Sequence, residues 1–363
     1  MLCGSGVPLA DAQWTRLPMC TTPGVPQRLS RYITSVIALL LCDRRGVHVQ
    51  RRSLPVLDST MSFLADGSGP LVMLLHGNPT SSHLWRNVIP NLAGLGYRVI
   101  AVDLIGMGLS GPSRRGYRLV DHLAYLEGFV DTLGAPELVL VGHDWGGVLA
   151  LALARSRREV VRGVAVLEAH LHPIASWSDM SEADREMFSR LRAEGSGEQT
   201  IIEENFFIEV VLPSGIVRRL GVTEHDGYRA PFMKTESRAP ILQWVREIPI
   251  GGEPADVAQI IVRNQDILQD EDLPTLLLHG APGALVGEAE VKWCATHGRA
   301  MTLTSIGEGT HFLPEDRPSE IVEALAVWLR TLKPLEIDTS TTNANPPRAR
   351  SRHSTERCYP ENK

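Results

Sequence analysis

The central part of the sequence alternates short apolar runs with longer segments of helical periodicity. The apolar runs are Leu71–Leu75, Tyr97–Val102, Glu137–Val141, Val161–Leu167, Thr275–Leu278 and Met301–Ser305. The helical patterns between them are Ser82–Leu92, Leu119–Leu133, Gly147–Arg155 and Ser319–Leu332. Short runs that are apolar throughout are typical of strands buried on both faces. Their alternation with helices predicts an α/β fold of the α/β-hydrolase type, with a mostly parallel central sheet and helices on both faces.

One interval interrupts this alternation. Between Glu168 and Thr275 the chain carries helix signals instead of buried strands, among them a capping-box-like start at Ser181 and helical patterns at Glu203–Val211 and Pro254–Leu268. We therefore predict a helical cap over residues 169–250, inserted between two strands of a core formed by residues 49–168 and 251–334. Residues 1–48 are expected to be a poorly ordered extension, and the polar tail at 335–363 is expected to be disordered.

Composition narrows the classes of partner and the compartment. A formal net charge of -6 favours neither a nucleic acid nor an anionic membrane as partner. The five cysteines form no C-x-x-C pair, so neither a zinc site nor a disulfide framework is indicated, and a cytoplasmic location is expected. The apolar stretch 33–42 is too short to span a bilayer.

Polar residues gather where the predicted parallel strands end, which is where such sheets bind ligands. The most informative group is Gly142-His143-Asp144-Trp145-Gly146, which has the form of a nucleophile elbow with Asp in place of Ser. The glycines relieve crowding at a sharp turn, so that the Asp144 side chain can project into solvent. The alternative is an ordinary strand-to-helix turn in which Asp144 is the helix N-cap.

The other members of a catalytic set follow in the order expected for this fold, namely nucleophile, acid and histidine. His311 follows the last predicted strand and precedes a helix, which is the position of the base. The loop after Thr275–Leu278, where many such enzymes carry the acid, has no carboxylate before Glu288. We therefore assign the acid to Glu168, at the end of the strand beside the nucleophile strand. The alternative for Glu168 is a salt bridge at the cap hinge.

An aspartate nucleophile suits displacement at a saturated carbon, because a carboxylate is already ionised near neutral pH and needs no base. The product is an alkyl ester, which water activated by His311 would then hydrolyse while Glu168 stabilises the imidazolium. The backbone amides of Asn78 and Trp145 would form the oxyanion hole. The Trp145 indole N–H and the Asn78 side-chain amide would bind a departing halide.

On these residues the sequence resembles the haloalkane dehalogenases, subfamily two. The resemblance rests on His76–Ser82 with Trp85-Arg86-Asn87, on Asp103–Gly108, on the elbow, and on Gly251–Asp256. It runs from about Ser53 to Leu332 and implies the same five residues, a halogenated hydrocarbon substrate, water, a released halide, no cofactor, no metal, and a monomer or homodimer. Ala169 and Thr310 depart from the family pattern, and we expect them to reshape the pocket.

Three alternatives stay open. The segments Glu204–Phe207 and Leu212–Ser214 resemble the sea-pansy coelenterazine luciferase, a cofactor-free monooxygenase with the same triad. Epoxide hydrolases also use this elbow, but they resemble one another in needing two cap tyrosines, and the cap interval holds only Tyr228. A non-catalytic binding protein on the same scaffold would typically lose members of the triad, and none is missing.

Overall fold

The structure is a computed structural model that describes residues 49–332. The predicted extension at residues 1–48 and the predicted tail at 335–363 lie outside the described residues, as do all the cysteines except Cys294. Cys294 is a buried free thiol. Within the described part of the chain, no helix has both the length and the apolar character needed to cross a bilayer.

Eight strands form one sheet in the order β1-β2-β4-β3-β5-β6-β7-β8. They are β1 (Gln50–Val56), β2 (Ser59–Asp66), β3 (Leu71–Leu75), β4 (Arg98–Val102), β5 (Leu138–His143), β6 (Val161–Leu167), β7 (Thr275–Pro282) and β8 (Met301–Gly309). All pairings from β4 to β8 are parallel, whereas β1 pairs with β2 and β2 with β4 in antiparallel fashion. The predicted α/β-hydrolase fold with a mostly parallel sheet is confirmed.

The sequence patterns did not reveal β1 and β2. Six of the seven residues of β1 are at least partly exposed, and the strand carries Arg51, Arg52 and Pro55. Pro55 fits an edge strand, because proline has no backbone N–H and therefore cannot donate a hydrogen bond to a neighbouring strand. Strand β1 therefore lacks the continuous apolar run that identified the six parallel strands, β3 to β8.

Eleven α-helical segments occur in the described part of the chain. They are α1 (Ile89–Gly94), α2 (Leu119–Leu133), α3 (Trp145–Ser156), α4 (Glu182–Arg192), α5 (Leu212–Ser214), α6 (Val222–Arg229), α7 (Ala239–Glu247), α8 (Ala255–Leu268), α9 (Glu288–His297), α10 (Leu313–Asp316) and α11 (Pro318–Leu329). Short 3-10 helices cover Ser82–Trp85, Trp177–Asp179, Ala230–Phe232 and Thr235–Arg238. The single helix predicted over Ser82–Leu92 is wrong, because a 3-10 turn ends at Trp85 and α1 starts anew, with Pro90 in its first turn.

Apolar cores lie on both faces of the sheet. The helix that follows β5, α3, is buried along its whole length from Trp145 to Ala154. Strand β5 is buried at every residue. Burying a side chain such as Leu149 stabilises the fold by about 1.5–3 kcal/mol, so the α3–β5 junction is firmly held. The nucleophile elbow is that junction.

The proposed cap, residues 169–250, contains no strand of the sheet. Its Ser181 caps α4 through a hydrogen bond from the Asp184 amide, as predicted. The continuous helix predicted over Glu203–Val211 is wrong, because two π-helical segments, Glu198–Glu203 and Phe207–Val211, meet at Asn205, whose φ is 56°. Asparagine is one of the few residues that tolerates this left-handed conformation.

The two ends of the proposed cap lie side by side. The Ile174 amide donates to Pro249 O at 3.0 Å, and the Gly251 amide donates to Ile174 O at 2.9 Å. Beyond this point, α8 rejoins the core, where Asn264 Nδ2 donates to Val148 O at 2.9 Å. An insertion whose ends meet in this way leaves the sheet uninterrupted, and the cap boundaries 169–250 stay a prediction.

Candidate active site

Asp144 occupies a strained turn between β5 and α3. Its φ is 55° and its ψ is -125°, a conformation that costs a non-glycine residue about 1–3 kcal/mol. A Cβ on Gly146 would lie 2.3 Å from Leu75 O, so only glycine allows α3 to start this close to β3. The Asp144 side chain makes no capping hydrogen bond. Asp144 holds the N-cap position of α3 without capping the helix, which argues against the N-cap alternative, and the side chain lines a cavity instead.

Two backbone amides hold the Asp144 carboxylate. The Asn78 amide donates to Oδ2 at 2.8 Å, and the Trp145 amide also hydrogen-bonds the carboxylate. A Cβ on Gly77 would lie 2.3 Å from the same oxygen, so this approach requires a glycine. Burial raises the pKa of Asp144, while the charge of His311 and these two hydrogen bonds oppose the rise. The carboxylate is thus poorly solvated, which favours attack on carbon.

His311 lines the same cavity as Asp144. Burial lowers its pKa, but the nearby carboxylates of Glu168 and Asp144 outweigh burial, so that the pKa is raised overall. The backbone at His311 is fixed by the buried His143, whose Nε2 lies 2.7 Å from His311 O. Burial, reinforced by the charge of His311, holds the pKa of His143 well below its ordinary value, so His143 is a neutral donor.

Glu168 lies behind His311, away from the cavity. It is fully buried, and its Oε2 is 3.7 Å from His311 Nδ1. The same oxygen accepts hydrogen bonds from the amides of Ala284 at 2.9 Å and Leu285 at 2.8 Å. The loop after β7, which has no carboxylate before Glu288, therefore supplies two backbone amides that bind Glu168. Among residues 49–332 His311 is the only ion-pair partner of Glu168, which argues against the cap-hinge salt bridge.

Two side-chain donors lie beside Asp144. The Asn78 amide nitrogen donates to Ile241 O at 3.3 Å and has a second N–H left for a ligand. The Trp145 ring is 2% exposed and stacks on Trp244 with centroids 4.7 Å apart. The Trp244 N–H is already used by Met107 Sδ at 3.4 Å. The Trp145 N–H is left for an anion at the cavity wall.

The cavity has a volume of about 390 Å³, which fits a small ligand. Its apolar lining comes mostly from the cap, from Ile174, Met180, Phe188, Phe207, Val211, Trp244, Val245 and Ile248. Sequence reasoning did not find these residues, because an apolar residue in a helical cap has the same pattern whether it lines a cavity or packs in a core. His170 was also missed, although it lies only two residues after Glu168, at the same end of the sheet.

Two expectations about pocket shape need correction. Neither Ala169 nor Thr310 lines the cavity. Ala169 is buried against Gly147, where an added Cβ would come within 2.6 Å of the Ala169 Cβ, and the Thr310 hydroxyl donates to Gly215 O at 2.9 Å. Both residues therefore act on packing. His170, next to Ala169, is the residue that reaches the cavity.

Tyr228 is not placed to protonate a substrate. Its side chain is 1% exposed and its hydroxyl donates to Glu315, which also accepts hydrogen bonds from Arg86 and Arg218. It does not line the cavity. This position argues against the epoxide hydrolase alternative. Asp103, which also follows a strand, binds the Ser82 amide at 2.8 Å and the Arg51 side chain, outside the cavity.

Comparison with known proteins gives consistent results. A family model of the α/β hydrolase fold matches residues 70–195. A haloalkane dehalogenase of Mesorhizobium japonicum is 44% identical over 283 residues, which are 77% of this chain and 91% of the relative. One from Sphingobium indicum is 40% identical, over 78% of this chain and 97% of the relative.

Solved structures agree. The crystal structure of the haloalkane dehalogenase DbeA from Bradyrhizobium elkani matches with a TM-score of 0.75 and 42% identity, over 78% of this chain and 98% of that one. The haloalkane dehalogenase DatA from Agrobacterium tumefaciens matches with a TM-score of 0.74 and 32% identity, over 79% and 98% of the two chains. The matched region corresponds in extent to the described core and cap.

Proposed function

This chain belongs to the haloalkane dehalogenase family of the α/β-hydrolase fold, hydrolases that act on carbon–halide bonds, and we propose that Asp144, His311 and Glu168 carry out that reaction in it. Asn78 and Trp145 are proposed to bind the halide through their side chains and the oxyanion through their backbone amides. The observation that carries the proposal is the Asp144 carboxylate at a strained elbow, held by two amides and open to a cavity that His311 also lines.

In the first proposed step, the carboxylate displaces the halide. Oδ2 is held by the Asn78 amide, so we assign the attack on the saturated carbon to Oδ1. A carbon–oxygen bond forms while the carbon–halogen bond breaks, and the halide leaves with the bonding electron pair. The N–H groups of Trp145 and Asn78 donate to the departing anion, and the apolar surroundings make these charge-assisted bonds stronger than in water.

In the second proposed step, water hydrolyses the alkyl ester. His311 accepts a proton from the water as it attacks Cγ of Asp144, and the carbonyl oxygen that becomes negative stays hydrogen-bonded to the amides of Asn78 and Trp145. Glu168 stabilises the imidazolium. Collapse of the intermediate expels the alkoxide, which takes up the proton from His311, and leaves Asp144 as a carboxylic acid whose ionisation releases the second proton of the water. The net products are an alcohol, a halide ion and one proton released to solvent.

A panel of halogenated alkanes tests the proposed function. We expect halide release and a fall in pH with 1-bromobutane and with 1,2-dibromoethane. Asp144→Ala is the matched control and should release neither halide nor protons. The absence of halide release by the wild type across brominated and chlorinated alkanes would refute the proposed function.

The same protein should be tested with coelenterazine, because the resemblance to the luciferase stays a prediction and the triad residues do not separate the two activities. We expect no light above the level given by the Asp144→Ala variant.

A halogenated hydrocarbon, water and halide are the proposed ligands. The monomeric or homodimeric state and the cytoplasmic location also stay predictions.

A further inference from the structure

His170 stands in the active-site cavity without a task in the proposed reaction. It lies two residues after Glu168, close to the end of strand β6, and lines the cavity together with Asp144 and Trp145. Its imidazole ring packs against the Trp145 indole, with centroids 5.5 Å apart and planes at 51°. The side chain is half-buried.

The ring nitrogens of His170 form no hydrogen bond within residues 49–332. The nearby His172 differs in this respect, because its Nδ1 lies 2.8 Å from Gln265 Nε2 and its ring packs on Trp293 outside the cavity. When a ligand displaces water from a cavity, a polar group in its wall loses hydrogen bonds to water unless the ligand supplies a partner. An imidazole edge that is unpartnered and faces a ligand cavity therefore favours ligands with a complementary polar atom.

The remaining polar residues of the cavity are already engaged. Asn78, Asp144, Trp145 and His311 belong to the proposed reaction, and the Asp184 carboxylate accepts a hydrogen bond from the Ser181 hydroxyl at 2.7 Å, at the start of a cap helix. Most of the other lining residues are apolar. His170 thus adds one hydrogen-bonding position to a cavity wall whose other members outside the proposed reaction, apart from Asp184, are apolar.

We propose that His170 is a specificity-determining residue, whose imidazole N–H donates to an oxygen elsewhere in the substrate, so that the pocket favours haloalkanes that carry an ether or hydroxyl oxygen over plain haloalkanes of the same length. The inference rests on the proposed reaction at Asp144 and adds the substrate class. The contact is remote from the carbon–halogen bond, and its effect is to discriminate between substrates.

The charge state of His170 fits this role. Burial, together with the charge of His311, lowers the pKa of His170 to about 4. The ring is therefore neutral near neutral pH and offers one N–H donor and one nitrogen acceptor. A neutral ring does not form an ion pair with the released halide. Its preference for an oxygen should not change between mildly acidic and mildly basic solution.

Three substrates of nearly equal shape test the inference. They are 1-bromopentane, 2-bromoethyl ethyl ether and 1-bromo-3-methoxypropane, in which one methylene is replaced by oxygen at two different positions. We measure kcat/KM by bromide release for the wild type and for His170→Leu, His170→Gln and His172→Leu. The His170→Leu substitution breaks no hydrogen bond of the described residues, and His172→Leu is the matched control outside the cavity.

We expect His170→Leu to lower the ether-to-alkane ratio of kcat/KM by about 10-fold for at least one ether, the effect of one hydrogen bond. His170→Gln keeps a donor and should hold the ratio within about 3-fold of the wild type, and His172→Leu should leave it unchanged. A ratio unchanged in His170→Leu would overturn the inference, as would an equal loss of ratio in His172→Leu.

A binding measurement separates this inference from the proposed function. The dissociation constants of the same three compounds are measured by calorimetry in the Asp144→Ala background, with and without His170→Leu. A preference for an ether that disappears with His170→Leu supports the inference even if the wild type releases no bromide, the result that would overturn the proposed function. If the ethers and 1-bromopentane bind equally well to Asp144→Ala with and without His170→Leu, the inference is overturned. Bromide release by the wild type would still support the proposed function in that case.

Discussion

The two walls of the cavity are built by different physical means. The strand-end wall, formed by Asn78, Asp144, Trp145 and His311, depends on backbone geometry that one added methyl group would destroy, as at Gly146. The cap wall, which includes Phe188, Phe207 and Ile248, is made of apolar side chains on short helices and π-helical segments. The strand-end wall fixes the positions of the proposed donors and nucleophile, and the cap wall sets the shape of the cavity.

This contrast indicates which parts of the cavity wall tolerate substitutions. Displacing a reacting group by about 1 Å can lower the rate by about 10²-fold, so the strand-end wall has little freedom. Apolar cap residues contribute area and shape, and substitutions of similar volume usually cost less than about 1.5 kcal/mol. Changes in the strand-end wall should therefore decide whether the reaction occurs, and changes in the cap wall should decide on which substrate.

Asp144→Ala should give the largest effect. The variant keeps the elbow backbone but has no nucleophile, so we expect kcat for 1-bromobutane to fall by at least about 10⁴-fold. Alanine at a φ of 55° is strained, and circular dichroism is the control for folding. A folded variant with more than a hundredth of the wild-type rate would show that the strand-end wall does not supply the nucleophile.

Glu168→Gln should lower kcat by about 10³-fold and change its pH dependence. His311 acts as the base in its neutral form, and its raised pKa makes activity fall as the pH drops through a midpoint above the ordinary value of 6.5. Without the carboxylate, burial dominates and the pKa of His311 falls, so the acidic limb should move to lower pH. The measurement is a pH profile of kcat, and an unmoved limb would contradict the assigned pair.

Trp145→Phe should lower kcat/KM by about 10²-fold, because one donor to the leaving halide is lost while the ring stays. Trp244→Phe is the matched control, since its indole stacks directly behind Trp145 and its N–H is bound to Met107. We expect less than about a 10-fold loss for the control. Equal losses in the two variants would mean that the stack matters and the N–H does not.

Phe207→Leu, in the cap wall, should give the smallest effect. It enlarges the cavity at one side without touching a reacting group, so we expect the kcat/KM ratio of a long to a short bromoalkane to change by about 5-fold. The kcat for 1-bromobutane should stay within about 3-fold of the wild type. A loss comparable to that of Trp145→Phe would abolish the proposed division between the two walls.

The sequence predicts the strand-end wall better than the cap wall for a physical reason. Buried parallel strands leave continuous apolar runs, and their ends localise Asn78, Asp144, Glu168 and His311 to one edge of the sheet. The direction in which those side chains point comes from backbone angles, such as the φ of 45° at Glu168, which no periodicity reveals.

The cap is a different case. A π-helical turn broken at Asn205 and an ordinary helix have similar apolar spacing, so the predicted helix over Glu203–Val211 missed the break. Which apolar residues face the cavity depends on long-range packing against the core. The role of His170 was missed for the related reason that a lone histidine after a strand gives no sign of whether it finds a partner in the folded chain.

The central claim is that Asp144 is alkylated and that His311 acts only afterwards. The most direct measurement is the mass of the Asp144-containing peptide from His311→Phe after exposure to 1-bromobutane. We predict a butyl adduct on Asp144 and a burst of about one bromide per enzyme, because hydrolysis of the ester has lost its base. An unmodified Asp144 peptide, or steady turnover without a burst, would contradict the account.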